Sequence, residues 1–114
     1  MTASVKQRRL DDVVILDING RITLGEGAVT LREVLQKLLE TGERKIVMNL
    51  AEVDYVDSGG LGELVTAFTT VRAHGGQLKL LNLTRRIQDL LQITKLLTVF
   101  DSFDSETEAI KSMR

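Results

Sequence analysis

One stretch of this sequence has the residue types and spacing for chemistry: Asp54-Tyr55-Val56-Asp57-Ser58-Gly59-Gly60-Leu61-Gly62. It sets a carboxylate beside a hydroxyl, then places three glycines in four positions, Gly59, Gly60 and Gly62. Glycines where a helix begins cost backbone entropy and call for a reason. One reason is structural. Asp57 or Ser58 caps the helix, and the glycines let it pack closely on a sheet. A second is a phosphate cradle built from free N–H groups and the helix dipole. The stretch has neither G-x-x-x-x-G-K-[ST] nor G-x-G-x-x-G, and no basic residue lies inside it. A third is the nucleophile elbow G-x-S-x-G, but Val56 stands at the first glycine position. The sole histidine, His74, sits at the far end of the following helix, roughly 20 Å away at 1.5 Å per residue. Ser58 therefore has no general base within reach. The fourth is a phosphoacceptor. A small hydroxyl on a glycine-lined turn is open to a kinase, and a phosphoryl group would add about −1.5 to −2 charge where a helix N-terminus favours anions.

The elements that must position this stretch are legible from periodicity. Val5 to Leu10 is a mostly polar strand candidate, hence an edge, and Leu10-Asp11-Asp12 supplies a turn. Val13-Val14-Ile15-Leu16-Asp17-Ile18 is β-branched and nearly continuous, an interior strand that Asn19-Gly20 is expected to end. Gly25 to Glu40 is helical in period, with Leu31, Val34, Leu35, Leu38 and Leu39 on one face and Gly42 just past the end. Lys45 to Leu50 is a second buried strand, and Leu61 to Ala73 a second helix stopped by His74-Gly75-Gly76. Gln77 to Leu83 is a third interior strand. Thr84 caps a helix carrying Ile87, Leu90 and Leu91. A short strand is expected near Val99-Phe100, and Ser105 with Glu108 forms a capping box for a last helix holding Ala109, Ile110 and Met113. The order β-β-α-β-α-β-α-(β)-α predicts an α/β fold with a mixed, mostly parallel sheet of 4–5 strands packed with about four helices. Residues 1–114 are expected to form one domain.

Composition narrows the function classes. Fifteen Lys and Arg face sixteen Asp and Glu, a formal net charge of −1, which argues against holding nucleic acid by phosphate neutralisation. Without Cys and with one His, disulfides, thiol catalysis and multi-His metal sites are excluded. Trp is absent and aromatics are 4%, too few for a base-stacking platform. Charges follow Met1 at once, so no secretory signal is expected, and apolar runs such as Val13 to Leu16 are too short to span a membrane. The cytoplasm is the expected compartment. His74 reads as a helix-end residue, Tyr55 and Phe68 as packing residues, and Asp57 as a cap in preference to a group that positions the hydroxyl. Leu61 opens the apolar series of its helix and is expected to be partly exposed beside Ser58.

Asp57-Ser58-Gly59-Gly60-Leu61-Gly62 closely resembles the D-S-[ST]-G-L-G signature of bacterial anti-sigma factor antagonists, members of the STAS domain family. The run through Asn49-Leu50, Val53 and Val56-Asp57 is similar to the family's approach to that loop. So are Asp17-Ile18-Asn19-Gly20-Arg21-Ile22 and the exit His74-Gly75-Gly76-Gln77-Leu78. The resemblance covers nearly the whole chain. It implies that Ser58 is phosphorylated and that the unphosphorylated protein binds an anti-sigma factor with a histidine-kinase-like ATPase fold, freeing a sigma factor. That partner is also the serine kinase. Phosphorylation breaks the complex, and a PP2C-type phosphatase resets it. The partner surface implied comprises Asp57, Ser58, Gly59, Gly60, Leu61 and Gly62, with Gly20, Arg21 and Thr23 from the loop after the second strand. The chain itself would be a monomer in a heterocomplex, with a homodimer as the alternative, and would have no catalysis, cofactor or metal of its own. Two positions depart from the family pattern. Gly59 stands where Ser or Thr is usual, leaving Ser58 as the sole hydroxyl of the motif, in a loop that glycine makes more flexible. Thr23 stands where an acidic residue often helps docking. Both departures also fit a STAS-type interaction subunit without a phosphoswitch, in a scaffold or transporter-associated complex.

Overall fold

Val13 to Leu16 are all buried, which is what a strand covered on both faces requires, and the helices on either side explain it. The computed structural model describes residues 3–114, so Met1 and Thr2 of the N-terminal stretch lie outside it. Nine elements follow in the order β1 (Ser4–Leu10), β2 (Val13–Ile22), α1 (Glu26–Glu40), β3 (Lys45–Val56), α2 (Ser58–Ala73), β4 (Gln77–Leu81), α3 (Arg85–Ile93), β5 (Ser102–Phe103) and α4 (Glu106–Lys111). The sheet has the spatial order β1-β2-β3-β4-β5. β1 pairs with β2 antiparallel, and every other neighbouring pair is parallel.

Alternation along β2 divides the interior in two. Val14, Leu16 and Ile18 face a large core with Leu31 and Leu35 of α1, Leu61 and Leu64 of α2, and Ile87 and Leu91 of α3. Val13 and Ile15 face a smaller core with Val47, Leu81 and the α4 residues Ala109, Ile110 and Met113. Three helices thus cover one face of the sheet and one short helix covers the other. Phe68 packs in the larger core, its ring edge-on to Phe100 at 5.3 Å between centroids.

Five boundaries differ from the sequence reading. Asn19-Gly20 does not end β2. Register shifts beside Asp17 and Gly20 absorb the pair, and the strand runs on to Ile22. Gly20 adopts φ +104°, a conformation open to glycine without strain. β3 runs past Leu50 to Val56, because Val53 and Val56 are buried and pair with Gly20 and Ile22 of β2. β4 stops at Leu81, where Asn82 turns to φ +57°. The last strand is Ser102–Phe103 rather than Val99-Phe100, since Phe100 is spent in the core. α2 begins at Ser58, so its glycines lie inside its first turns and not in a loop before it.

Candidate functional site

The long β2 and β3 end side by side, with Ile22 opposite Val56. Their C-terminal ends deliver two connections to one place: Thr23-Leu24-Gly25, leading into α1, and Asp57, leading into α2. Ligand and partner sites of open parallel sheets gather at such ends. Gly25 makes the turn into α1 at φ +99°. Thr23 and Gly25 carbonyls accept from Ala28 and Val29, which fixes the loop to the helix it precedes.

Asp57 holds the two connections together. It is extended, at φ −93° and ψ −178°, and its carboxylate caps α2 by accepting from the Gly60 N–H at 2.7 Å. The same carboxylate accepts from the Leu24 N–H, at 3.1 Å to Oδ1 and 3.2 Å to Oδ2. Its own N–H donates to the Ile22 carbonyl at 3.3 Å. Asp57 is therefore a cap, as read from sequence, and also a clamp, which sequence did not reveal. The glycines make this approach possible. A Cβ at Gly60 would stand 1.9 Å from the Ile22 carbonyl oxygen, and one at Gly59 would stand 2.6 Å from Leu24 Cβ. Gly59 is thus seated in a helix under Leu24, and the flexible loop expected there is not found. Gly62 has open space around it.

Ser58 is the first residue of α2 and is exposed. Among the described residues its hydroxyl makes no hydrogen bond, because Asp57 has taken the capping role. Gly60 and Leu61 are buried and shape this surface from beneath. Leu61, expected to be partly exposed, is 7% exposed and belongs to the core. Thr23 is half-buried, and Gly20 is buried. Arg21 is exposed with its guanidinium 5.0 Å from the centre of the Tyr55 ring. Tyr55 is consequently a surface residue and not the packing residue expected. Leu24, which sequence reasoning passed over, is 78% exposed beside Gly59. The available signal was a large apolar residue outside the periodic stripe of α1.

His74 is not near Ser58. It ends α2, with Nδ1 2.8 Å from the Thr70 carbonyl oxygen. Among the described residues no three His, Asp or Glu side chains converge to hold a metal. A cavity of about 490 Å³ opens between α1 and α2 beside the buried Glu63, which Arg32 grips with two hydrogen bonds. None of the residues 57–60 lines it. The polar arrangement at Ser58 can present a hydroxyl on a rigid base, but supplies no general base to activate it.

The STAS domain family matches residues 4–109. The chain belongs to this family. It is 37% identical over 101 residues to an anti-sigma-B factor antagonist of Bacillus subtilis, covering 89% of this chain and 91% of that one. The crystal structure of a candidate anti-sigma factor antagonist from Thermotoga maritima superposes with a TM-score of 0.88 at 28% identity, covering 96% of this chain and 94% of that one. The unphosphorylated form of the anti-sigma factor antagonist SpoIIAA shares the fold, with a TM-score of 0.73 at 19% identity over 96% of each chain. The five-stranded mixed sheet with four helices is the STAS fold.

Proposed function

We propose that this STAS domain is an anti-sigma factor antagonist switched by phosphorylation of Ser58. The unphosphorylated chain binds an anti-sigma factor that is also a serine kinase, and so releases a sigma factor. Phosphorylation ends the binding, and a PP2C-type phosphatase restores it. The chain acts as a single cytoplasmic domain and contributes no catalysis. Relatives named anti-sigma factor antagonists support the class. Among the described residues no helix is long and apolar enough to cross a membrane.

The observation that carries the reading is the free Ser58 hydroxyl on a clamped base. Asp57 satisfies the Gly60 N–H and leaves the neighbouring hydroxyl exposed. A phosphoryl group there needs no rearrangement of the cap, so the fold survives modification. It changes the face by about −1.5 to −2 charges beside the Asp57 carboxylate. A partner that closes over Ser58 then meets bulk and like charge it would have to desolvate.

Titration calorimetry with the anti-sigma factor tests this reading. Ser58→Ala should bind as wild type does, and Ser58→Glu should bind at least tenfold more weakly. Equal binding by both variants would favour an interaction subunit without a phosphoswitch.

A further inference from the structure

We propose that Leu24, seated on Gly59, is a specificity-determining contact of the Ser58 face, and that the cognate partner receives it in an apolar recess beside its kinase cleft. This rests on the Ser58 reading above and names what the partner surface must contain.

A single exposed leucine is ordinary on a protein surface. Three features set this one apart. First, it is rigidly held. Its N–H is bound by both oxygens of Asp57, and the carbonyls on either side of it, on Thr23 and Gly25, accept from α1. At 78% exposure it remains in water although its backbone is fixed on both sides. Second, it is adjacent to the acceptor. Its Cβ lies where a Cβ on Gly59 would come within 2.6 Å, and Gly59 follows Ser58 directly. A surface that closes on Ser58 therefore reaches Leu24 as well. Third, the seat depends on residue 59. Any side chain there would meet Leu24 Cβ at 2.6 Å, Cδ1 at 3.0 Å and Cα at 3.1 Å, so the leucine or its loop would have to move. Leu24 and Gly59 are one unit: the glycine makes room and the leucine fills it. The chain thus offers an apolar knob where a hydroxyl at 59 and a carboxylate in the loop would have offered polar contacts. Specificity is a difference of affinities, and this pair sets it by shape and by hydrophobicity together.

The experiment uses the full chain and the purified histidine-kinase-like anti-sigma factors of the same genome, each with ATP. The one that phosphorylates wild-type Ser58 becomes the probe, and its affinity for variants is measured by calorimetry. Leu24→Ala should lose at least tenfold in affinity while its melting temperature stays within a few degrees. Gly59→Ala should lose a comparable factor. The double variant should be no worse than about twofold below Leu24→Ala, because both changes remove the same contact. A probe that phosphorylates Ser58 and binds Leu24→Ala within twofold of wild type overturns this inference and leaves the switch standing. Phosphorylation of Ser58 by none of these proteins overturns the switch, and the inference with it.

Discussion

The N-termini of α2 and α4 use the same residue types in opposite order. Each helix start exposes N–H groups that need an acceptor. At α4 the acceptor is Ser105, whose hydroxyl takes the Glu108 N–H, and the first turn carries Glu106 and Glu108. At α2 the acceptor is Asp57, and the hydroxyl of Ser58 stands next to it, unspent, in a first turn without acidic residues. Thr84 at α3 repeats the α4 solution. A capping serine is a structural part. A serine one position later, beside a capping aspartate, is free for chemistry and lies at the positive end of the helix.

The largest expected difference concerns how each start is built. Gly60→Ala forces a methyl into the Ile22 carbonyl, and should cost about 3 kcal/mol or more in urea unfolding. Gly62→Ala, with open space around it, should stabilise by about 0.5–1 kcal/mol through backbone entropy. Removing the caps comes next. Asp57→Ala should cost about 1–2 kcal/mol, more than Ser105→Ala at about 1 kcal/mol or less, because Asp57 also holds Leu24 and the Ser105 bond is long at 3.4 Å. Equal costs would mean that the clamp adds nothing to the cap.

A smaller effect is electrostatic and belongs to the α4 side. Arg8 bridges Asp17 of β2 and Glu106 of α4. Its hydrogen bond is the first cause holding the Asp17 carboxyl below the usual range, and Asn49 assists. A lowered folded value means that this stabilisation is complete above the ordinary carboxylate range. It fades as pH falls through the lowered value. The pair is partly exposed, so its contribution is at most about 1 kcal/mol. Arg8→Ala should therefore reduce the stability difference between pH 7 and pH 3, read by urea titration at each pH. The smallest effect is expected at the candidate acceptor: Ser58→Ala should change stability by less than about 0.5 kcal/mol, since its hydroxyl holds nothing.

Periodicity carried the element order, the edge position of β1 and the caps at Thr84 and Ser105, because each rests on local chemistry. The start of α2 was misplaced by three residues, since glycine has low helix propensity and only the close approach to Ile22 and Leu24 explains its presence there. The far halves of β2 and β3 were missed for a related reason. Asn19-Gly20 looks like a turn by itself, and the buried run of β3 breaks at the exposed Ala51 and Glu52, but the two segments hold each other as a pair. At the site, Asp57 and Ser58 were legible as a motif. The clamp to Leu24 was not, because it joins residues 33 positions apart. Glu63 drew no reading from the sequence, and its burial against Arg32 depends in the same way on a partner from another helix.

The most direct measurement maps the phosphate by mass spectrometry after incubation with the anti-sigma kinase and ATP. A single phosphoryl group on Ser58, absent from Ser58→Ala and never found on Ser105, is the expected result. Labelling of Ser105 or another hydroxyl with Ser58 untouched would contradict the switch.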